Sequence, residues 1–186
     1  MNENYMEKRC MEIIREIDPS LKYMEEFKMG SVKVLKVEKE GTIHVLKTAQ
    51  FDYEWGVDHL KQERKILDLA NGIRGITHLV QNYRDTENYK NPMLKEFYEG
   101  QSLRELNVKI QDTNAQKKLE NTVRDLHSLG VAILDIQGRN IVLSPDKQDA
   151  CLIDMGCGKL LQDTHSSEFE RLKEDDLHDL EAYIFE

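Results

Sequence analysis

The sequence predicts an α+β fold: a small antiparallel sheet with one helix inserted, a short connection, and a mostly helical half that contains a small hairpin. Three observations carry this prediction. Between about Gly30 and Lys47 the run SVKVLKVEKEGTIHVLKTA alternates apolar and polar residues around a Glu-Gly turn, the pattern of antiparallel strands. The stretch VDHLKQERKILDLANG that follows has helical period instead. Beyond Gly100 helical spacing dominates, interrupted by two short β-rich pieces, NIVLS and ACLIDM, on either side of the turn PDKQD.

Each element follows from its own pattern. From Asn4 to Ile17 the residues Met6, Cys10, Ile13, Ile14 and Ile17 recur at helical spacing and Pro19 closes the run, so an amphipathic N-terminal helix is expected. In VDHLKQERKILDLANG, Leu60, Ile66, Leu67 and Ala70 share one side, with Asp58 as N-cap and Gly72 as stop. THLVQNYRD and NPMLKEFY read as two further strands. SLRELNVKI is helical by period, as is NAQKKLENTVRDLHSLG, which turns Leu119, Val123, Leu126 and Leu129 inward and ends at Gly130. His127 on that inner side is expected to be packed and hydrogen-bonded. Ser166 to Phe185 reads as a charged helix or pair of helices.

Composition narrows the function. With 186 residues, 39% of them hydrophobic, the chain can build one good core or two small lobes without disulfide or metal staples. A formal net charge of −9 argues against a nucleic-acid backbone or an anionic membrane as direct partner, since both reward clustered Lys and Arg. Cys10, Cys151 and Cys157 match neither a disulfide framework nor a zinc pattern, which fits a reducing, cytoplasmic setting. The charged N-terminus lacks the apolar core of a signal peptide, and no later run approaches the length of a membrane span.

The stretch ACLIDMGCGKLL, residues 150 to 161, admits three chemistries. A phosphate loop needs Gly, four residues, then Gly-Lys-Ser/Thr; here the first position is Ile153 and the last Leu160. A nucleophilic Cys157 needs a histidine partner, and none of the six histidines sits in a cysteine-enzyme motif. Cys157 is better read as a small residue tolerated in a tight turn, and Gly130 and Gly158 as cap and turn glycines. A metal-binding Asp154 at a strand end gains support from what precedes it. Asn140 lies fourteen residues upstream and Asp135 five before that. A carboxylate, an amide oxygen five residues on, and a second carboxylate across a hairpin form the acid and metal part of a phosphotransferase site.

On those residues the stretch LHSLGVAILDIQGRNIVLSPDKQDACLIDMGCGK resembles the catalytic and metal-binding loops of the protein kinase-like superfamily, with Asp-Met-Gly where Asp-Phe-Gly is usual. The resemblance covers roughly Gly30 to Phe185. It implies a two-lobed kinase-like fold forming a single domain over 1–186: an N-terminal helix (1–20), a small antiparallel-sheet N-lobe with one helix (21–98) and a truncated, mostly helical C-lobe (99–186). It implies an ATP-dependent serine/threonine protein kinase using Mg²⁺. Asp135 would receive the acceptor proton, Asn140 and Asp154 would hold the metal, and Lys47, paired with Glu63, would grip the phosphates. Gly30 and Ser31 would lie in the loop over the phosphates, and the backbone of Glu96, Phe97 and Tyr98 would read the adenine edge. Asp176 in KEDDLHDLEAYIF would brace the catalytic loop. A protein substrate or protein partner is expected.

The departures from the family pattern are specific. Only Gly30 remains of the glycine-rich loop. Ile133 and Leu134 replace the usual His-Arg, and Gln137 replaces the lysine of Ser/Thr kinases. Only 22 positions separate Asp154 from Asp176, and there is no Ala-Pro-Glu. This outline is similar to the compact atypical kinases: the RIO type, the small kinase of the KEOPS complex, and the lipopolysaccharide sugar kinases. Three alternatives stand beside it. One is a pseudokinase scaffold, the second a regulatory subunit whose N-terminal helix docks on a partner, and the third a small-molecule kinase acting on a sugar or amino alcohol.

Overall fold

A computed structural model describes residues 3–132 and 135–185. Ile133 and Leu134, the replacements for His-Arg, lie outside the described residues. The chain divides into two compact units. The first holds the chain up to Arg64 together with His78–Phe97, and the second holds Lys65–Thr77 together with the chain from Tyr98 onward. The mixed α/β architecture, with an antiparallel sheet beside helices, is the fold class expected from the sequence.

The first unit is built on a five-stranded antiparallel sheet in the order β1-β2-β3-β5-β4. Its strands are β1 (Lys22–Met29), β2 (Val32–Lys39), β3 (Thr42–Gln50), β4 (Leu79–Asn82) and β5 (Tyr89–Glu96). The β2–β3 hairpin turns on Glu40 and Gly41, whose φ angles of 52° and 82° give the left-handed pair that matches strand twist. Strand register sorts the side chains. Val34 faces Lys47, Val45 faces Lys95 and Lys47 faces Met93, so all of these lie on one face. Leu35, Leu46 and Leu94 lie on the other.

That second face is covered from within the chain. Helix α1 (Glu3–Ile17) packs Cys10, Ile13 and Ile14 against Leu35, Val37, Leu46 and Leu94. Burying each large aliphatic there contributes about 1.5–3 kcal/mol. The apolar stripe of α1 therefore packs on the sheet of its own unit. Asp18 ties the helix end to the sheet: Tyr83 and Lys39 donate to Oδ2 at 3.0 and 3.2 Å, and Ser20 donates to Oδ1 through both its amide and its hydroxyl. Burial alone would raise the Asp18 pKa, but these donors outweigh it and hold the carboxyl at about 2.

Helix α2 (Glu54–Leu69) begins earlier than the sequence indicates, so Asp58 lies inside it rather than capping it. Its Leu60, Ile66 and Leu67, with Ala70 just beyond, are buried as expected. Gly56 in its first turn faces the Ser31 backbone, where an added Cβ would come within 3.1 Å of the carbonyl oxygen.

In the second unit, β6 (Gln101–Ser102), β8 (Ile141–Leu143) and β9 (Ala150–Leu152) form a three-stranded sheet, and β7 (Val131–Ala132) pairs with β10 (Lys159–Leu160). Helix α3 (Leu103–Leu106) is a single turn closed by a capping box between Ser102 and Glu105; Asn107, at φ 52°, ends it, so NVKI does not continue the helix. Helix α4 (Thr113–Ser128) is capped by Asp112, which accepts from the amides of Asn114 and Ala115. Leu119, Val123 and Leu126 are buried, whereas Leu129 falls past the helix end and is exposed, a correction to the expected inward set. Helix α5 (Ser166–Asp179) runs into a π-helical turn, Leu180–Ile184, and packs Phe169 and Leu172 against Ala132 of β7. Among the described residues no helix is long and apolar enough to cross a membrane.

Candidate active site

In the first unit the expected pair forms. Lys47 reaches from β3 to α2 and donates to both carboxylate oxygens of Glu63, at 2.9 and 2.8 Å. Glu63 is fully buried and Lys47 nearly so. Removing two opposite charges from water is costly, so a pair this deep has been assembled for its charge or its geometry rather than for stability alone. A second lysine joins it: Lys95 of β5, also buried, bonds to Glu63 Oε1. The register explains the convergence. Lys47 lies opposite Met93 and Lys95 opposite Val45, so the two lysines are diagonal neighbours on the sheet face that meets α2. The sequence reading did not single out Lys95. Its signal was parity, because a lysine two residues after a buried methionine on one strand shares that methionine's face.

The β1–β2 turn is held by its carbonyls. Lys33 Nζ donates to Gly30 O at 2.5 Å, and the Gln50 amide donates to Ser31 O at 3.3 Å. At the end of β5 the Glu96 amide donates to His78 O at 2.9 Å, and the Phe97 ring stacks on Phe27 at 6.4 Å with Lys36 Nζ 4.5 Å from its centroid. Glu96 and Phe97 close the first unit, and Tyr98 opens the second.

The second unit gathers the other candidates onto one loop and one hairpin. The loop after β7 turns back through a bond from the Asn140 amide to Gln137 O, and the Arg104 amide anchors it by donating to Gly138 O. Asp135 Oδ2 accepts from Asn140 Nδ2 at 2.7 Å and from Arg139 at 3.1 Å, and Gln137 donates to Oδ1. Asn140 Nδ2 also reaches the Asp135 carbonyl at 2.9 Å. With its nitrogen committed to Asp135, the Asn140 amide has its oxygen as the atom that could meet a cation.

The β8–β9 hairpin carries Asn140 and Asp154 to the same end. The Ile153 amide donates to Asn140 O at 3.0 Å, which places Asp154 one residue beyond the paired position. Asp154 Oδ1 accepts from the Gly156 amide at 3.1 Å, so the turn fixes one carboxylate oxygen. Met155 is buried. Gly158 is a packing glycine in this turn: an added Cβ would lie 2.5 Å from Ile66 Cδ1. Cys157, half-buried, has its thiol pKa pushed up, first by burial and then by the nearby charges of Asp135 and Asp154. A raised thiol pKa weighs against Cys157 as a thiolate nucleophile. Between α4 and α5, His127 Nε2 lies 2.9 Å from Asp176 Oδ2, both buried, so His127 is the packed, hydrogen-bonded residue expected.

No family model matches the sequence, and no curated protein matches it either. Among solved structures, the chain is similar to the kinase PK-1 of Cydia pomonella granulovirus, with a TM-score of 0.63 at 12% identity. The fold is similar to that of a protein kinase. The match covers 86% of this chain and 60% of the viral kinase, so the chain spans well under two thirds of that neighbour's length.

Proposed function

We propose that this chain is an ATP-dependent phosphotransferase that acts on an alcohol group, with serine or threonine of a protein as the acceptor. The observation that carries the reading is the buried Lys47–Glu63 pair in a kinase-like fold whose second unit brings Asp135, Asn140 and Asp154 to one hairpin end. Lys47, held by Glu63, would pair with phosphate oxygens of ATP. Asp135 would orient the acceptor hydroxyl and receive its proton. Of the groups now on Asp135, Gln137 and Arg139 are long side chains that an acceptor could displace, whereas Asn140 would stay.

The donor set suits a hard divalent cation: the Asp154 carboxylate and the Asn140 amide oxygen are the oxygen ligands that Mg²⁺ prefers. When bound, Mg²⁺ would neutralise charge on the phosphates. Asp154 would keep one oxygen on the Gly156 amide and turn the other to the ion.

A second reading, a kinase-like scaffold without turnover, draws on the β1–β2 turn, whose single glycine and committed carbonyls differ from the usual phosphate loop. Titration of ATP with and without Mg²⁺ into the protein and its Asp154→Asn variant tests the metal assignment. Binding strengthened by Mg²⁺ in the wild type and insensitive to Mg²⁺ in the variant is expected. Equal Mg²⁺ dependence in both proteins would remove Asp154 from the site.

A further inference from the structure

Lys95 is the feature of the first unit that the proposed phosphotransfer chemistry does not yet use. It is 1% exposed, its ammonium meets Glu63 Oε1, and the same oxygen also accepts from Lys47. An apolar side chain would occupy this place at a lower desolvation cost, and Met93 does so two residues earlier on the same face. The charge therefore needs an explanation beyond packing.

We propose that Lys95 is a positioning residue for the phosphate-binding lysine: by taking part of the Glu63 carboxylate, it keeps the Lys47 ammonium from being fully absorbed by its own partner. Lys47 and Lys95 thus share the one carboxylate of Glu63. In a buried setting, with little water to screen them, such charges act strongly on a polyanion. The clamp so built selects ligands by their phosphate charge, not by their base. Lys95 also joins two parts of the unit, since the next residue, Glu96, ends β5 where the adenine edge would be read. This inference rests on the phosphotransferase reading.

The test compares ATP with adenosine, which shares the base and sugar but carries no phosphate. Calorimetric titrations of both ligands into the full chain and into Lys95→Met, Lys95→Gln and Lys95→Arg separate charge from shape. In Lys95→Met and Lys95→Gln, ATP affinity is expected to fall about tenfold while adenosine affinity changes less than about twofold. Lys95→Arg retains the charge and is expected to keep most of the preference for ATP. Equal weakening of both ligands, or no change in either, in folded Lys95→Met or Lys95→Gln, or a loss of ATP preference in Lys95→Arg as large as in those two, overturns the inference alone and leaves Lys95 as a packing residue. A wild-type protein that binds neither ligand overturns the phosphotransferase reading together with the inference.

Discussion

The two polar clusters are held in opposite ways. The Lys47–Glu63–Lys95 clamp is buried side chain on regular structure, two strands and a helix, with no exposed member. The Asp135 cluster sits on a loop, and its partner Arg139 keeps about half its side chain in water. What positions Asp135 is a turn bond within the loop, the Arg104 amide of α3, and the Asn140 side chain. The contrast teaches that a charge meant to stay fixed is placed where the fold itself over-determines it. The loop group, which on the proposed reading would meet an acceptor, has exposed neighbours instead.

Removing Glu63 should break the comparison most severely. Glu63→Ala leaves two buried ammonium groups without their shared carboxylate, and a loss of about 3–5 kcal/mol in chemical denaturation is expected. A loss below about 1 kcal/mol, the range of exposed pairs, would mean that the clamp is far less isolated from water than its burial indicates.

Asp18 offers an intermediate case, partly buried and held by several donors. Its folded pKa of about 2 lies below the ordinary 3.8, so its contribution is present above about pH 4 and is lost as pH falls through about 2. The shift corresponds to about 2 kcal/mol. Asp18→Asn is expected to remove that stability at neutral pH and to flatten the pH dependence of unfolding between pH 4 and 2. An unchanged acid limb in the variant would contradict the assignment. The smallest effect belongs to Arg139. Arg139→Ala should change stability by less than about 1 kcal/mol, because the pair is half in water. A larger loss in thermal melts would show that the loop depends on this arginine rather than on Asn140.

The same contrast governs what the sequence made legible. Helix α1 and the β2–β3 hairpin were readable because each buries one face, and burial writes a period into the sequence. The spacing of Asp135, Asn140 and Asp154 could be read along the chain because one loop and one short hairpin bring the three together. Strand β1 was not: KYMEEFKM pairs with β2 through two register shifts, next to Tyr23 and Glu26, that break the period of two. The start of α2 was missed because Asp58 has the residue type of an N-cap, while the helix had already begun at Glu54. Lys95 escaped because a single lysine in an apolar strand reads as an edge or a surface position until the register shows which face it takes. An amphipathic stripe likewise says that something covers it, not what: Cys10, Ile13 and Ile14 of α1 pack on the sheet of their own unit.

The most direct test of the central claim is transfer of labelled γ-phosphate from ATP with Mg²⁺, measured for the purified protein alone and with added cell extract, beside Asp135→Asn. Loss of the Asp135 carboxylate, the proposed proton acceptor, is expected to lower transfer by about 100- to 10,000-fold while the melting curve stays that of the wild type. Label transferred equally well by a folded Asp135→Asn protein, or by neither protein under any condition, would contradict the assignment of this chain as a phosphotransferase working through Asp135.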